Sequence, residues 1–245
     1  MAVTQGTSAA AEHEANRLRS LRQRGDPRNA VWYYEDFHTI NDEDWVIVQD
    51  GTQLPTAGND LGGHIFIATR VGSAATNDET YLKGAEGFIF NATDNVFFEC
   101  RFRTTDVSAN IAWVIGLTDA GIANTIVDTT GATTADNWDG VFIHKDSGTG
   151  IDMVVSNSSV QTTSADIATY EASSWHRYGF VYFVNDGVTA QVAPMVDGIA
   201  GTAVDLTISG LEELGVTMGV KSLATGASKS IRVDYIDVVQ ETDRG

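Results

Sequence analysis

The strongest hydrophobic pattern in the chain runs from Trp175 to Gly198. His176, Tyr178, Phe180, Tyr182 and Val184 alternate with Trp175, Arg177, Gly179, Val181 and Phe183, the period that puts successive side chains on opposite faces of a β-strand. Large apolar groups occupy both faces, so this strand is expected in the middle of a sheet that is covered on both sides. Asn185, Asp186 and Gly187 interrupt the run, and Val188, Ala190, Val192, Pro194 and Val196 resume it. That arrangement predicts an antiparallel hairpin.

Shorter apolar runs surround the hairpin. Residues 31–37, 45–48, 64–69, 87–90, 96–103 and 111–118 read as strands before it. Residues 140–145 and 151–156 form a further pair joined by the turn residues Asp146 to Gly150, followed by a polar Ser/Thr run over 156–163. Residues 216–220 and 231–240 close the series. Within 96–103, Val96, Phe98, Cys100 and Phe102 mark a core face, while Phe97, Glu99, Arg101 and Arg103 mark a mostly charged one. No helical periodicity follows Gly25 and no fixed-period repeat is visible. The pattern predicts an all-β fold, a two-sheet antiparallel jelly-roll sandwich over residues 31–245.

The first thirty residues differ in kind. Residues 9–24 can form a helix with Ser8 as N-cap and with Gly25 and Pro27 as stop signals. Its apolar stripe of Ala11, Ala15, Leu18 and Leu21 is too thin to hold an isolated helix in water. The segment therefore either docks or stays loose, and the reading adopted is an N-terminal arm over residues 1–30 that adds little to the core. Five arginines (Arg17, Arg19, Arg22, Arg24, Arg28) against three acids give the arm about +2, so the rest of a chain of net charge −18 carries about −20. Such a body is expected to repel nucleic acid and anionic membranes.

Candidate chemistry is sparse. The single cysteine, Cys100, excludes an intrachain disulfide. The N-terminus lacks a basic stretch followed by an apolar one, and no run of eighteen apolar residues occurs, so neither an export signal nor a membrane span is expected. The five histidines show no metal-ligand spacing, and Asp128, Asp136, Asn137 and Asp139 lack the spacing of a dedicated calcium loop. No metal or cofactor is expected. Among the tryptophans, Trp113 and Trp175 sit in strongly apolar runs and read as core. Trp138, flanked by Asp136, Asn137, Asp139 and Gly140, reads as the best exposed ring for stacking on a glycan.

Three stretches resemble a known superfamily. Residues 230–240 (SIRVDYIDVVQ) are similar to the last strand of concanavalin A-like, laminin G-like jelly rolls; residues 97–103 (FFECRFR) and 175–178 (WHRY) resemble two further strands of that fold. The resemblance spans roughly residues 32–241 and implies fold, not activity. Glycanases of the superfamily carry E-x-D-x-x-E or E-x-D-x-E on one strand, because retaining hydrolysis needs two carboxyl groups roughly 5 Å apart. This sequence has neither motif, and no enzyme is expected.

The chain further resembles tailed-phage capsid decoration, or cement, proteins. That resemblance implies a non-enzymatic virion protein on the capsid surface, made in the host cytoplasm, binding the major capsid protein or other virion proteins, with trimers by analogy. Arg17, Leu18, Arg19, Leu21, Arg22, Arg24 and Arg28, with Trp32 and Tyr33 at the junction, would carry the docking. The alternative expectation is a carbohydrate-binding module or lectin, with Trp138 as glycan contact; a glycanase is the third.

Overall fold

The computed structural model describes residues 5–24, 30–41, 43–50, 54–58, 63–70, 72–104, 110–119, 127–128, 138–158, 160–184, 190–207 and 212–242. One helix, α1 (Gln5–Arg24), precedes β1 (Ala30–Glu35), β2 (Trp45–Asp50), β3 (Thr56–Ala57), β4 (Ile65–Ala68), β5 (Ser73–Ala74) and β6 (Glu79–Phe88). Next come β7 (Val96–Thr104), β8 (Ile111–Thr118), β9 (Gly140–Lys145), β10 (Gly150–Asn157), β11 (Val160–Thr169) and β12 (His176–Val184). The chain continues through β13 (Ala190–Val196), β14 (Ile199–Ala200), β15 (Val204–Leu206), β16 (Leu214–Ser222), β17 (Gly226–Ala227) and β18 (Ser230–Glu241).

Two antiparallel sheets stack face to face. The nine-stranded sheet runs β14-β13-β12-β7-β18-β4-β3, with β1 also on β18 and β15 on β13; the seven-stranded sheet runs β11-β10-β9-β8-β16-β6-β2. Phe98, Cys100, Phe102, Phe180 and Tyr182 from the first meet Trp113, Ile115, Ile143, Met153 and Met218 from the second in one continuous core. This is the two-sheet antiparallel sandwich that the alternating runs predict, and β12 lies between β7 and β13 inside its sheet. The hairpin turn at Asn185 to Gly187 lies outside the described residues.

Two of the longer strands differ from the sequence reading, and the short strands β3, β5, β14, β15 and β17 are absent from it. The strand expected over 87–90 is the end of β6, which starts at Glu79. Its charged residues Glu79 and Lys83 hid the alternation with Thr80 and Leu82. The polar run over 156–163 is divided between the end of β10 and the start of β11, which extends to Thr169. β11 is the sheet's edge and, among the described residues, pairs with β10 alone; its first half is polar, and Ile167 and Ala168 near its end pack on the core.

The N-terminal segment is not a loose arm. α1 begins at Gln5, so Ser8 lies within the helix rather than at its cap. Ala11, Ala15 and Leu18, spaced to share one helix face, are fully buried against Phe97, Val181, Phe183, Ala193, Met195, Ala200 and Val239 on the outer face of the nine-stranded sheet. The docking gives β12 the second cover that its two apolar faces require. Arg17 bonds Glu14 and Glu241, Asn95 Nδ2 donates to Glu14 at 2.9 Å, and Arg19 reaches Glu99 at 2.6 Å.

Candidate functional site

The outer face of the seven-stranded sheet is largely closed by its own chain. Tyr81, Ala112, Val114, Phe142 and Val154 point outward from it and are buried beneath Val127 and Trp138. Trp138 is 2% exposed and packs on Phe142 at 4.9 Å, so it is not the exposed ring the sequence suggested. Its polar neighbours misled that reading: Asp139 is buried and uses its carboxylate to accept the Ser158 N–H at 2.6 Å. Tyr81 lies over Gly219, where a Cβ would stand 1.9 Å from the ring. Burial, with the adjacent Glu79 charge, pushes the Tyr81 hydroxyl well above its ordinary value.

The carboxylates on and around this face are engaged. Glu79 Oε2 accepts from Lys221 Nζ at 2.9 Å, and Lys221 also donates to the Val127 carbonyl at 3.0 Å. Asp152 Oδ1 accepts the Asp166 N–H at 2.7 Å, and Asp119 Oδ1 accepts the Asp139 N–H at 2.5 Å. Burial is the main cause that raises the Asp119 carboxyl. Among the described residues, no group of three or more metal-ligating side chains is placed around one point. Asp136 and Asn137 lie outside them.

The outer face of the nine-stranded sheet is built differently, and register explains how. Across β12, β7 and β18 the outward positions run Val181, Phe97, Val239; then Gly179, Glu99, Asp237; then Arg177, Arg101, Tyr235. A fourth row holds Arg103, Arg232 and, on β4, Phe66. α1 covers the first row. Glu99 in the second is held by Arg19 and by the Tyr235 hydroxyl, which donates at 2.7 Å. Rows three and four extend beyond the helix.

Rings and guanidinium groups interleave there. Trp175, one residue before β12, has Arg101 at 5.0 Å and Arg103 at 4.8 Å from its ring centroid. Arg232 lies 5.6 Å from the Phe66 ring, and Tyr34 stacks on Tyr235 at 6.0 Å. Trp32 and Tyr34, at 40% and 46% exposure, extend the strip along β1. Arg101 is neutralised by Asp234 at 2.6 Å, brought there by a register irregularity between Val233 and Tyr235. Arg177 bonds the Asp197 carbonyl at 2.9 Å. Arg103 has no ion-pair partner among the described residues, and its Nε is buried without a hydrogen bond.

Of the residues assigned to docking, Arg17, Leu18 and Arg19 serve contacts within the chain, and Leu18 is inaccessible. Leu21, Arg22 and Arg24 belong to α1, but their side chains, and all of Arg28, lie outside the described residues. Trp32 is exposed, whereas Tyr33 is half-buried against the main core, which pushes its hydroxyl up. Trp175 corrects the sequence reading the other way: it is half-buried on the outer face, while Trp113 is core at 1% exposure. The signal was present in the alternation, since Trp175 shares parity with Arg177 and not with Phe180. A groove of about 510 Å³ between β11 and the β13–β14 edge is lined by Ile167, Pro194 and Ile199 but by no aromatic ring.

No family model matches the sequence, and no curated protein matches it. Solved structures do match the fold. Peanut lectin aligns with a TM-score of 0.58 at 14% identity, over 86% of this chain and 97% of the lectin. A Shewanella oneidensis protein of unknown function aligns at 0.56 and 13% identity, over 89% of each chain. The Bacteroides ovatus mixed linkage glucan GH16, in complex with product, aligns at 0.56 and 8% identity, over 84% of this chain and 99% of its own. The chain has the concanavalin A-like lectin and glucanase fold.

Proposed function

We propose that the protein is a non-hydrolytic carbohydrate-binding protein that uses the uncovered part of the outer face of its nine-stranded sheet. The observation that carries this reading is the continuous strip of Trp32, Tyr34, Tyr235, Trp175 and Phe66 interleaved with arginines. A flat β-surface with rings facing outward gives pyranose faces an apolar seat, while guanidinium edges supply donors to hydroxyl oxygens. The shared fold with a lectin and a GH16 protein adds support. Hydrolysis is disfavoured because no E-x-D-x-x-E or E-x-D-x-E run occurs to set two carboxyl groups on one strand face.

This reading is preferred to capsid decoration. The expected arm is seated on its own domain, with Leu18 buried and Arg17 and Arg19 paired internally. A glycan array probed with the full chain, together with a reducing-sugar assay, tests the proposal. Selective glycan binding without release of reducing ends is expected. An array without a ligand, combined with stoichiometric cosedimentation on capsid shells, would return the weight to decoration.

A further inference from the structure

We infer that this face takes uncharged polysaccharides with free hydroxyls on adjacent ring carbons, read by Arg101 as donor and Asp234 as acceptor. The inference rests on the carbohydrate-binding reading and adds the chemical class of the ligand. Each polar residue of row three is matched by a carboxylate: Asp197 accepts the Arg177 backbone N–H, Glu99 accepts from the Tyr235 hydroxyl and pairs with Arg19, and Asp234 pairs with Arg101. Charge is thus balanced within the row, which sets donors beside acceptors. A ligand that uses both is favoured there over an anion, which can use the donors alone.

The three carboxylates differ in what they leave open. Asp197 and Glu99 each have both oxygens engaged, Asp197 with Arg177 N–H and His176, Glu99 with Tyr235 and Arg19. Asp234 bonds Arg101 at 2.6 Å through Oδ2, and its Oδ1 has no hydrogen-bond partner among the described residues. The pair is open to a ligand, with side chains 41% exposed for Arg101 and 20% for Asp234. The Trp175 ring, 5.0 Å from the guanidinium carbon, holds its plane and leaves donors along its edge. Tyr235 stands directly opposite Arg101 and stacks on Tyr34, so an apolar seat adjoins the pair. A pyranose on that seat can donate one hydroxyl to Asp234 Oδ1 while the hydroxyl on the next carbon accepts from Arg101. Both bonds are charge-assisted, and the ligand needs no charge of its own.

The test is affinity electrophoresis of the full chain in gels holding dextran, soluble starch or mannan, which carry adjacent free hydroxyls. Each is run against its O-methylated form, which keeps the rings and loses the hydroxyl donors. Laminarin supplies intact neutral rings whose three-linked residues lack adjacent free hydroxyls, and polygalacturonate supplies an acidic polymer. Binding to at least one of the first three is expected, about tenfold tighter than to its O-methylated form and to laminarin. Added salt, which screens ionic contacts, should leave it unchanged. Asp234→Asn and Arg101→Gln should each weaken it about tenfold, the scale of a lost hydrogen bond to a charged group. Arg101→Lys, which keeps charge but not the fork, should fall between. An exposed ion pair adds little stability, so the variants should melt as the parent does. Equal binding of native and O-methylated polymers, or tighter binding of laminarin or polygalacturonate, would overturn the inference while leaving the carbohydrate reading intact. So would a ligand on the array with none of the three polymers bound. Absence of any glycan ligand, here and on the array, would defeat both.

Discussion

Glu79 and Lys221 meet at 2.9 Å with almost no exposure, and Glu79 Oε1 has no hydrogen bond. Removing one partner leaves a buried charge alone, whereas removing both returns the site to the apolar character of its neighbours. Lys221→Met should therefore cost about 3–5 kcal/mol in denaturant unfolding, and Glu79→Leu combined with Lys221→Met should be near neutral. The Asp197 carboxyl provides a pH test. Burial raises it, but the Arg177 backbone N–H at 2.9 Å and His176 Nδ1 at 3.0 Å outweigh that and hold it below its ordinary value. A depressed carboxyl stabilises the fold above its unfolded pKa of about 3.9, and that contribution is lost as pH falls through the folded value. Asp197→Asn should flatten the acid limb of the stability curve below about pH 4. An unchanged limb would show that these bonds add nothing. The tryptophans show what sequence discloses at this scale. Parity places Trp175 with the arginines, but its apolar neighbours obscured it. Trp138 looked exposed because its acidic neighbours were read as solvated, although Asp139 turns inward to backbone donors.

α1 is held by a narrow stripe on a broad receptor. The stripe of Ala11, Ala15 and Leu18 was legible from spacing, but its receptor was not: Phe97 on β7, Val181 and Met195 on the β12–β13 hairpin and Val239 on β18 are brought together only by sheet pairing. Leu18→Ala should destabilise the protein by about 2–3 kcal/mol, the lower part of the range for buried leucine truncation, because the helix can settle into the space. Deleting residues 1–24 should lower the melting temperature and expose Phe97, Phe183 and Met195 to a hydrophobic dye. A truncated chain with an unchanged melting curve would restore the dispensable arm. β11 was illegible for the opposite reason. A polar edge strand with no fully buried residue leaves no hydrophobic period, and its pairing with β10 defines it.

At the scale of the molecule, the two sheets divide their outer faces between different tasks. The seven-stranded sheet turns outward an apolar and ion-paired surface that Val127 and Trp138 close. The nine-stranded sheet gives part of its face to α1 and leaves a strip of rings and guanidinium groups beside it. The sandwich itself was legible because alternation repeats in strand after strand. The division of labour was not, since it depends on register across β12, β7, β18 and β4. The five indoles sample both faces and the core, so nitrogen-proton correlation spectra of the indole N–H groups test the account most directly. Titration with an oligosaccharide selected on the glycan array should shift Trp175 first and Trp32 next, leaving Trp113 and Trp138 in place. A shift confined to Trp138 would put the ligand on the seven-stranded sheet and contradict the account.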